Sequence, residues 1–183
     1  DESGEERRYF DSAFAVAADG AWLGRYDKGH LVPFGEYVPL RGLIGYFAKA
    51  IARGIASGDI TPGTGPRAMT LPVLGGNPHA EREIRVGVPI CYELLFPDEV
   101  RRFVRDEAGV LLAITNDAWY GRTGAPYQFL AMTALRSAET GVWTVRAANT
   151  GVTAAIDETG RVRERTEIFE PAVLVADVPV RRH

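Results

Sequence analysis

Two hydrophobic periods alternate along this chain, and the points where one gives way to the other outline its elements. Tyr9 to Ala17 is rich in aromatic and small apolar residues, Asp19-Gly20 is a hairpin-turn dipeptide, and Trp22 to Tyr26 resumes as a second strand. Lys28 stands at the end of that hairpin. Arg41 to Ile55 has a helical rhythm: at ~100° per residue, Leu43, Ile44, Phe47, Ile51 and Ile55 cluster within roughly 120° of arc, with Arg41, Lys49 and Arg53 opposite. Such a stripe packs on the domain's own core or lies as a lid on a bilayer. Ser57 to Pro72 is broken by glycine and proline and is predicted as a surface loop.

Ile84, Val86, Val88 and Ile90 alternate with Arg85, Gly87 and Pro89, the period of a strand that ends at Cys91. Pro97 and the acidic pair Asp98-Glu99 suit the first turn of a helix whose apolar face is Val100, Phe103 and Val104. Gly109 to Thr115 is nearly all apolar, as a strand covered on both faces must be. A second helix is predicted from about Ala125 to Thr140, capped by Gly141. Strands are predicted at Val142 to Ala148, Val152 to Ile156, Val162 to Ile168 and Val173 to Val178, with turns at Asn149-Thr150-Gly151 and Glu158-Thr159-Gly160. Strands mixed with helices in this order define an α/β domain compatible with parallel crossover units.

Composition narrows the partners. The chain has 183 residues, 46% hydrophobic and 25% charged, with a net charge of -3. That is the range of a globular domain, and no basic run interleaved with aromatics marks it for nucleic acid. No apolar run approaches the roughly 18 to 20 residues that cross a bilayer, and the start, DESGEERRYF, is charged where a signal peptide is apolar. The single cysteine has no partner for an internal disulfide and no ligand spacing for a metal, so it is either an apolar filler or a reactive thiol.

Cys91 falls where a strand gives way to a polar loop and a helix, a place from which a side chain projects into a cleft. A thiol attacks as thiolate and needs a base or cation nearby, so its position alone leaves the core reading open. The stretch YDKGHLVPFGEYVPL, residues 26 to 40, puts lysine, histidine and glutamate within nine positions. The lysine could hold a developing oxyanion and the glutamate could orient it, or both could be solvated charges at a hairpin end. His30 is read as a structural hydrogen-bonding residue, His79 as a surface one, and His183 is terminal.

Taken together, YDKGHLVPFGEYVP, GDITPGTGP, GVPICYELLFPDEVR, ITNDAWYG, ALRSAE and VRAANTGVTAAID resemble the apolipoprotein N-acyltransferases, a branch of the nitrilase superfamily, in family order from about Phe10 to Asp177. HLVPFGEYVP and NDAWYG point to that lipoprotein-modifying branch rather than to simple nitrilases or amidases. The resemblance implies a nitrilase-like α-β-β-α sandwich over residues 1 to 183 and acyl transfer in two steps through a thioester. It makes Cys91 the nucleophile, Lys28 the lysine of a Glu-Lys-Cys triad and Glu36 the glutamate that supports the lysine. Tyr92 and Glu93 beside the nucleophile, and Asn116 and Trp119 of the NDAW motif, would serve the substrate pocket. The backbone N-H after Cys91 and Lys28 would form the oxyanion hole.

The same resemblance implies a phospholipid acyl donor, a diacylglyceryl-modified lipoprotein as acceptor, and no metal or organic cofactor. It places such enzymes in the bacterial inner (cytoplasmic) membrane with the catalytic domain on its outer, periplasmic face. One departure stands out: the family's general-base glutamate lies on an earlier strand, several tens of residues before the lysine, and here 27 residues precede Lys28. Glu2, Glu5 and Glu6 sit in a charged start without strand context. The chain is therefore expected to be an amino-terminally truncated catalytic domain, lacking the base and the family's transmembrane helices, and inactive alone. The competing readings are a soluble carbon-nitrogen hydrolase and a binding module that has lost its base.

Overall fold

The computed structural model describes residues 8–37, 39, 60–73 and 83–182. The amphipathic stretch Arg41 to Ile55 and His79 lie outside the described residues.

The chain opens with the hairpin of β1 (Ser12–Val16) and β2 (Trp22–Asp27), paired antiparallel as a two-stranded sheet. Its turn is the one the Asp-Gly dipeptide predicts: Gly20 takes φ 84°, open only to a residue without Cβ strain, and Asp19 Oδ1 accepts the Ala21 N-H at 3.0 Å.

A six-stranded sheet follows, in the order β3 (Met69–Pro72), β4 (Glu83–Gly87), β5 (Val110–Asn116), β6 (Trp143–Asn149), β7 (Ala154–Ile156), β8 (Val162–Arg165). β4, β5 and β6 run parallel and the other neighbours antiparallel. The parallel pairs require crossovers, supplied by α1 (Pro97–Arg105) between β4 and β5 and by α2 (Ala125–Thr140) between β5 and β6. Proline sits in the first turn of each helix, where its missing N-H costs no bond, and Gly141 ends α2 in the left-handed conformation at φ 67°.

Two faces of the large sheet are covered. On one, Val100 and Phe103 of α1 join Val86, Val110 and Leu111 in a core of fully buried side chains. On the other, an apolar groove of about 580 Å³ separates the hairpin from the sheet, with Ala13, Ala15 and Leu23 facing Met69, Leu112 and Ile114. This is an α/β arrangement of sheet against sheet with helices outside. Tyr26 reaches from the hairpin to the helix layer, its ring edge-on to Phe103 at 5.1 Å.

Two expectations are corrected. Met69–Pro72, predicted as loop, is the edge strand β3; a ladder to β4 outweighs the turn signal of the glycines before it, and proline is tolerated at its end. Val173 to Val178, predicted as a strand, joins no sheet. Val173 and Val175 are 90% and 83% exposed, while Val178 and Val180 pack on the core and the Arg181 N-H donates to Gly109 O at 3.0 Å. Alternation reports which side chains are half-buried, not whether a neighbouring strand edge exists.

Sheet and helix approach closely at Gly87: a Cβ there would stand 2.7 Å from Phe103 Cβ and 2.8 Å from Leu111 Cδ2. Gly87→Ala is expected to cost about 1 to 3 kcal/mol of stability by overpacking. Denaturant unfolding checks this; a loss under ~0.5 kcal/mol would show that α1 moves aside freely.

Candidate active site

Cys91 follows the last residue of the strand layer, Ile90, which bridges to Ile114 of β5. The chain turns there abruptly: Cys91 has φ 48°, a left-handed conformation that a residue with a side chain adopts only when its surroundings dictate it, and it starts the short 3-10 turn Cys91–Leu95. That elbow presents the half-buried thiol to a cleft of about 410 Å³, which Glu36, Asn116, Trp119 and Asp11 also line. As the second residue of the turn, Tyr92 has a backbone N-H with no acceptor inside it.

Lys28 enters from the end of β2 and is almost completely buried. Its ammonium is 2.5 Å from Glu36 Oε1 and 3.6 Å from Asp11 Oδ2. Burying an ammonium is tolerable only with a partner, and Glu36 is built to be one. The turn at Pro33–Tyr37 folds back so that the Val32 N-H donates to Glu36 Oε2 at 2.8 Å, leaving Oε1 for the lysine. The loop is held in place by the Gly63 N-H, which donates to Lys28 O at 2.8 Å.

Elbow and lysine loop are joined by one carboxylate. Glu93 is fully buried; its Oε1 accepts the Tyr26 hydroxyl at 2.6 Å and the N-H groups of Gly29 and His30 at 2.8 and 3.2 Å, while Oε2 accepts the Ile90 N-H at 2.8 Å. Burial pushes its carboxyl above the usual range, against the pull of these donors. Burial first, then the Glu93 charge, pushes the Tyr26 phenol far up, so it stays a donor.

The opposite wall comes from the end of β5 and the 3-10 turn Ala118–Tyr120. Asn116 Oδ1 accepts the Ala118 N-H at 3.2 Å and the Asn149 side-chain amide at 3.2 Å; Trp119 stands 86% exposed on the rim. Behind this wall, the fully buried Arg146 donates to Asp117 Oδ2 at 2.6 Å, Val152 O at 3.1 Å and Thr133 Oγ1 at 3.2 Å, and Asp117 Oδ1 accepts the Thr115 hydroxyl. Desolvation lowers the Arg146 pKa, and the Asp117 charge opposes it. Gly151 is there for room: a Cβ would lie 2.0 Å from Asp117 Oδ2, and the left-handed φ of 61° falls on Thr150 instead.

The structure thus brings Cys91, Glu36, Asn116 and Trp119 to one cleft with Lys28 behind it. Glu93 does not line that cleft; its carboxylate is taken up by the four donors that join the elbow to the lysine loop. Tyr92 is likewise not among the lining residues and packs with Phe96, on which His30 stacks at 3.6 Å. Sequence reasoning missed Asp11, Tyr26 and the Arg146-Asp117 pair. A signal for the last was present: an arginine amid the apolar run of β6 must find an anion once buried.

The sequence model of the carbon-nitrogen hydrolase family matches residues 1–182, and the chain belongs to that family. Curated relatives are apolipoprotein N-acyltransferases. That of Geobacter metallireducens is 43% identical over 97% of this chain and 32% of its own length, and that of Azotobacter vinelandii is 39% identical over 94% and 31%. The chain thus spans about a third of the length of these relatives. Among solved structures, the NitN amidase from Nesterenkonia sp. AN1 superposes with a TM-score of 0.60 at 21% identity, over 92% of this chain and 56% of that one. Saccharomyces cerevisiae Nit3, of the nitrilase superfamily, gives 0.58 at 15%, over 88% and 51%. The fold is that of the nitrilases.

Glu93→Gln replaces an acceptor oxygen with an amide NH2 among groups that all donate. The substitution is expected to destabilise by about 1 to 3 kcal/mol for the donor left unpaired and to slow alkylation of Cys91 by displacing the elbow. Unfolding and iodoacetamide kinetics check both; unchanged values would show that Glu93 braces nothing.

Proposed function

We propose that this chain is the cysteine-bearing part of an N-acyltransferase that moves a fatty acyl group from a phospholipid to the α-amino group of a diacylglyceryl-modified cysteine at a lipoprotein's amino terminus. The observation that carries this reading is the meeting of Cys91 and Glu36 in one cleft, with Lys28 held behind it on Glu36, in a chain about 40% identical to apolipoprotein N-acyltransferases. A fold neighbour supports the nucleophile: a mutant of the Nesterenkonia amidase has been caught with acrylamide added at its active-site cysteine.

In the first step the Cys91 sulfur attacks the ester carbonyl of the donor, and the oxyanion is held by the Lys28 ammonium and the Tyr92 N-H. The ester C-O bond breaks and the departing lysophospholipid oxygen takes up the thiol proton. In the second, the uncharged amine attacks the thioester, the C-S bond breaks with its electron pair returning to sulfur, and the proton lost from nitrogen restores the thiol. The base that relays these protons is the glutamate the family carries on an earlier strand, outside residues 1 to 183. Glu36 keeps Lys28 charged and aimed, and Asn116 and Trp119 form the far wall.

Among the described residues no helix is long and apolar enough to cross a membrane. We place the membrane helices of the intact enzyme outside this chain, in the bacterial inner membrane, with the cleft on its outer face. The second reading is an amidase that delivers the acyl group to water, favoured by the amidases among the fold neighbours. The acceptor decides between them.

In the intact enzyme Cys91→Ser is expected to abolish the acyl adduct formed on incubation with phospholipid, since a serine hydroxyl is a far weaker nucleophile without a matched base. Mass spectrometry reads this; an adduct formed on the Ser variant at the normal rate, or at another residue, ends the assignment. The 183-residue chain expressed alone should turn over at least about 10²-fold more slowly than the intact enzyme, for want of the base. Equal turnover would place the base within it.

A further inference from the structure

The cleft contains a carboxylate that the mechanism above does not use. Asp11 precedes β1, and its C=O accepts the Lys28 N-H at 2.9 Å, extending the hairpin ladder by one residue and fixing the aspartate beside the lysine. Its side chain lines the cleft with Cys91 and is 41% exposed. Lys28 is 3.6 Å away, beyond hydrogen-bond length, and its ammonium is already matched by Glu36 at 2.5 Å. One cation between two carboxylates leaves one negative charge over, and it falls on the partner that is farther away and faces the opening. Behind the opposite wall, among the described residues, Arg146 is buried and paired with Asp117, so it does not cancel that charge.

We propose that Asp11 is the specificity-determining residue of the cleft for its second substrate, holding the ammonium group of an amine acceptor beside Cys91. This rests on the reading of Cys91 as the acyl-carrying thiol. It adds the reason why an amine rather than water is gathered there: an alkylammonium placed against a half-exposed carboxylate forms an ion pair, a Coulomb attraction that a neutral water molecule lacks. The bound ammonium gives up a proton to solvent water before the neutral amine attacks, so Asp11 concentrates and orients the acceptor and takes no part in breaking or making the acyl bond.

A charge test on the thiol itself checks this without requiring acyl transfer. In the intact protein, with any cysteine outside residues 1 to 183 changed to serine, Cys91 is modified with aminoethyl methanethiosulfonate, which carries an ammonium, and with uncharged methyl methanethiosulfonate. In both reactions the Cys91 thiolate displaces methanesulfinate and forms a mixed disulfide, so the rate ratio isolates the attraction for the ammonium. Asp11→Asn is expected to lower that ratio about fivefold or more, the effect of removing one charge a few ångströms away in a partly solvated site. Asp11→Glu should keep most of it, and Asp98→Asn, at an exposed carboxylate that does not line the cleft, should leave it alone.

If both reagents change speed together and the ratio holds, Asp11 acts only through Lys28 and the proposal is overturned; a ratio that follows Asp98→Asn equally overturns it too. Acyl transfer supplies the second measurement. Asp11→Asn should slow transfer from the Cys91 thioester to a diacylglyceryl-cysteine peptide at least fivefold more than it slows thioester formation from phosphatidylglycerol, a donor with no amine. Equal slowing of the two steps sinks the idea. Failure of the acyltransferase reading would look different: no thioester on the unaltered protein, with the reagent ratio still reporting on Asp11.

Discussion

A single buried carboxylate sets the geometry on which the rest of this site depends. Glu93 belongs to the same turn as Cys91, yet three of its four donors, Tyr26, Gly29 and His30, come from the hairpin and loop that carry Lys28. Two segments 63 residues apart in sequence are thereby held at fixed distance. The fourth donor, the Ile90 N-H, closes the loop by anchoring the residue before Cys91. Because an ionised carboxylate can only accept, and everything around it donates, the arrangement admits no isosteric substitute. The left-handed backbone of Cys91 persists because this brace and the Ile90 bridge to β5 leave the elbow no relaxed alternative.

The opposite wall depends on the same kind of device with the charges reversed. Arg146 joins the middle of β6, the end of β5, α2 and the carbonyl of Val152 through one guanidinium. Such a pair earns little net stability, because both ions lose their water, but removing either partner strands a buried charge. It fixes where the polypeptide leaves β5, and so where Asn116 and Trp119 meet the cleft. One wall is organised around an anion and the other around a cation, and the thiol lies between them.

Much of this was legible in the sequence because local chemistry and tertiary structure agree there. The Asp-Gly hairpin, the apolar run of β5, the span of α2 with its glycine cap and the strand ending near Cys91 all follow from period and turn residues. The YDKGHLVPFGE and CYE motifs named the residues that the fold assembles. What escaped was information held only by neighbours. The edge strand β3 is recognised by the ladder it joins, and the segment from Val173 to Val178 alternates without a partner. Asp11 stands in the cleft because the hairpin register sets it beside a lysine 17 positions later. Glu93 was legible as important, but its motif could not say whether its carboxylate faces the pocket or the protein.

The Asn149-Thr150-Gly151 turn divides two duties that a reader of turn propensities assigns to one residue. The unusual backbone dihedral belongs to Thr150, a β-branched residue poorly suited to it, whereas Gly151 is small because Asp117 leaves no space beside it. A protein engineer ranking substitutions by turn statistics alone would guard the right glycine for the wrong reason and overlook the threonine. Position 150 is where a conformational gain is available, through asparagine or glycine, and position 151 is where volume is forbidden whatever the backbone prefers.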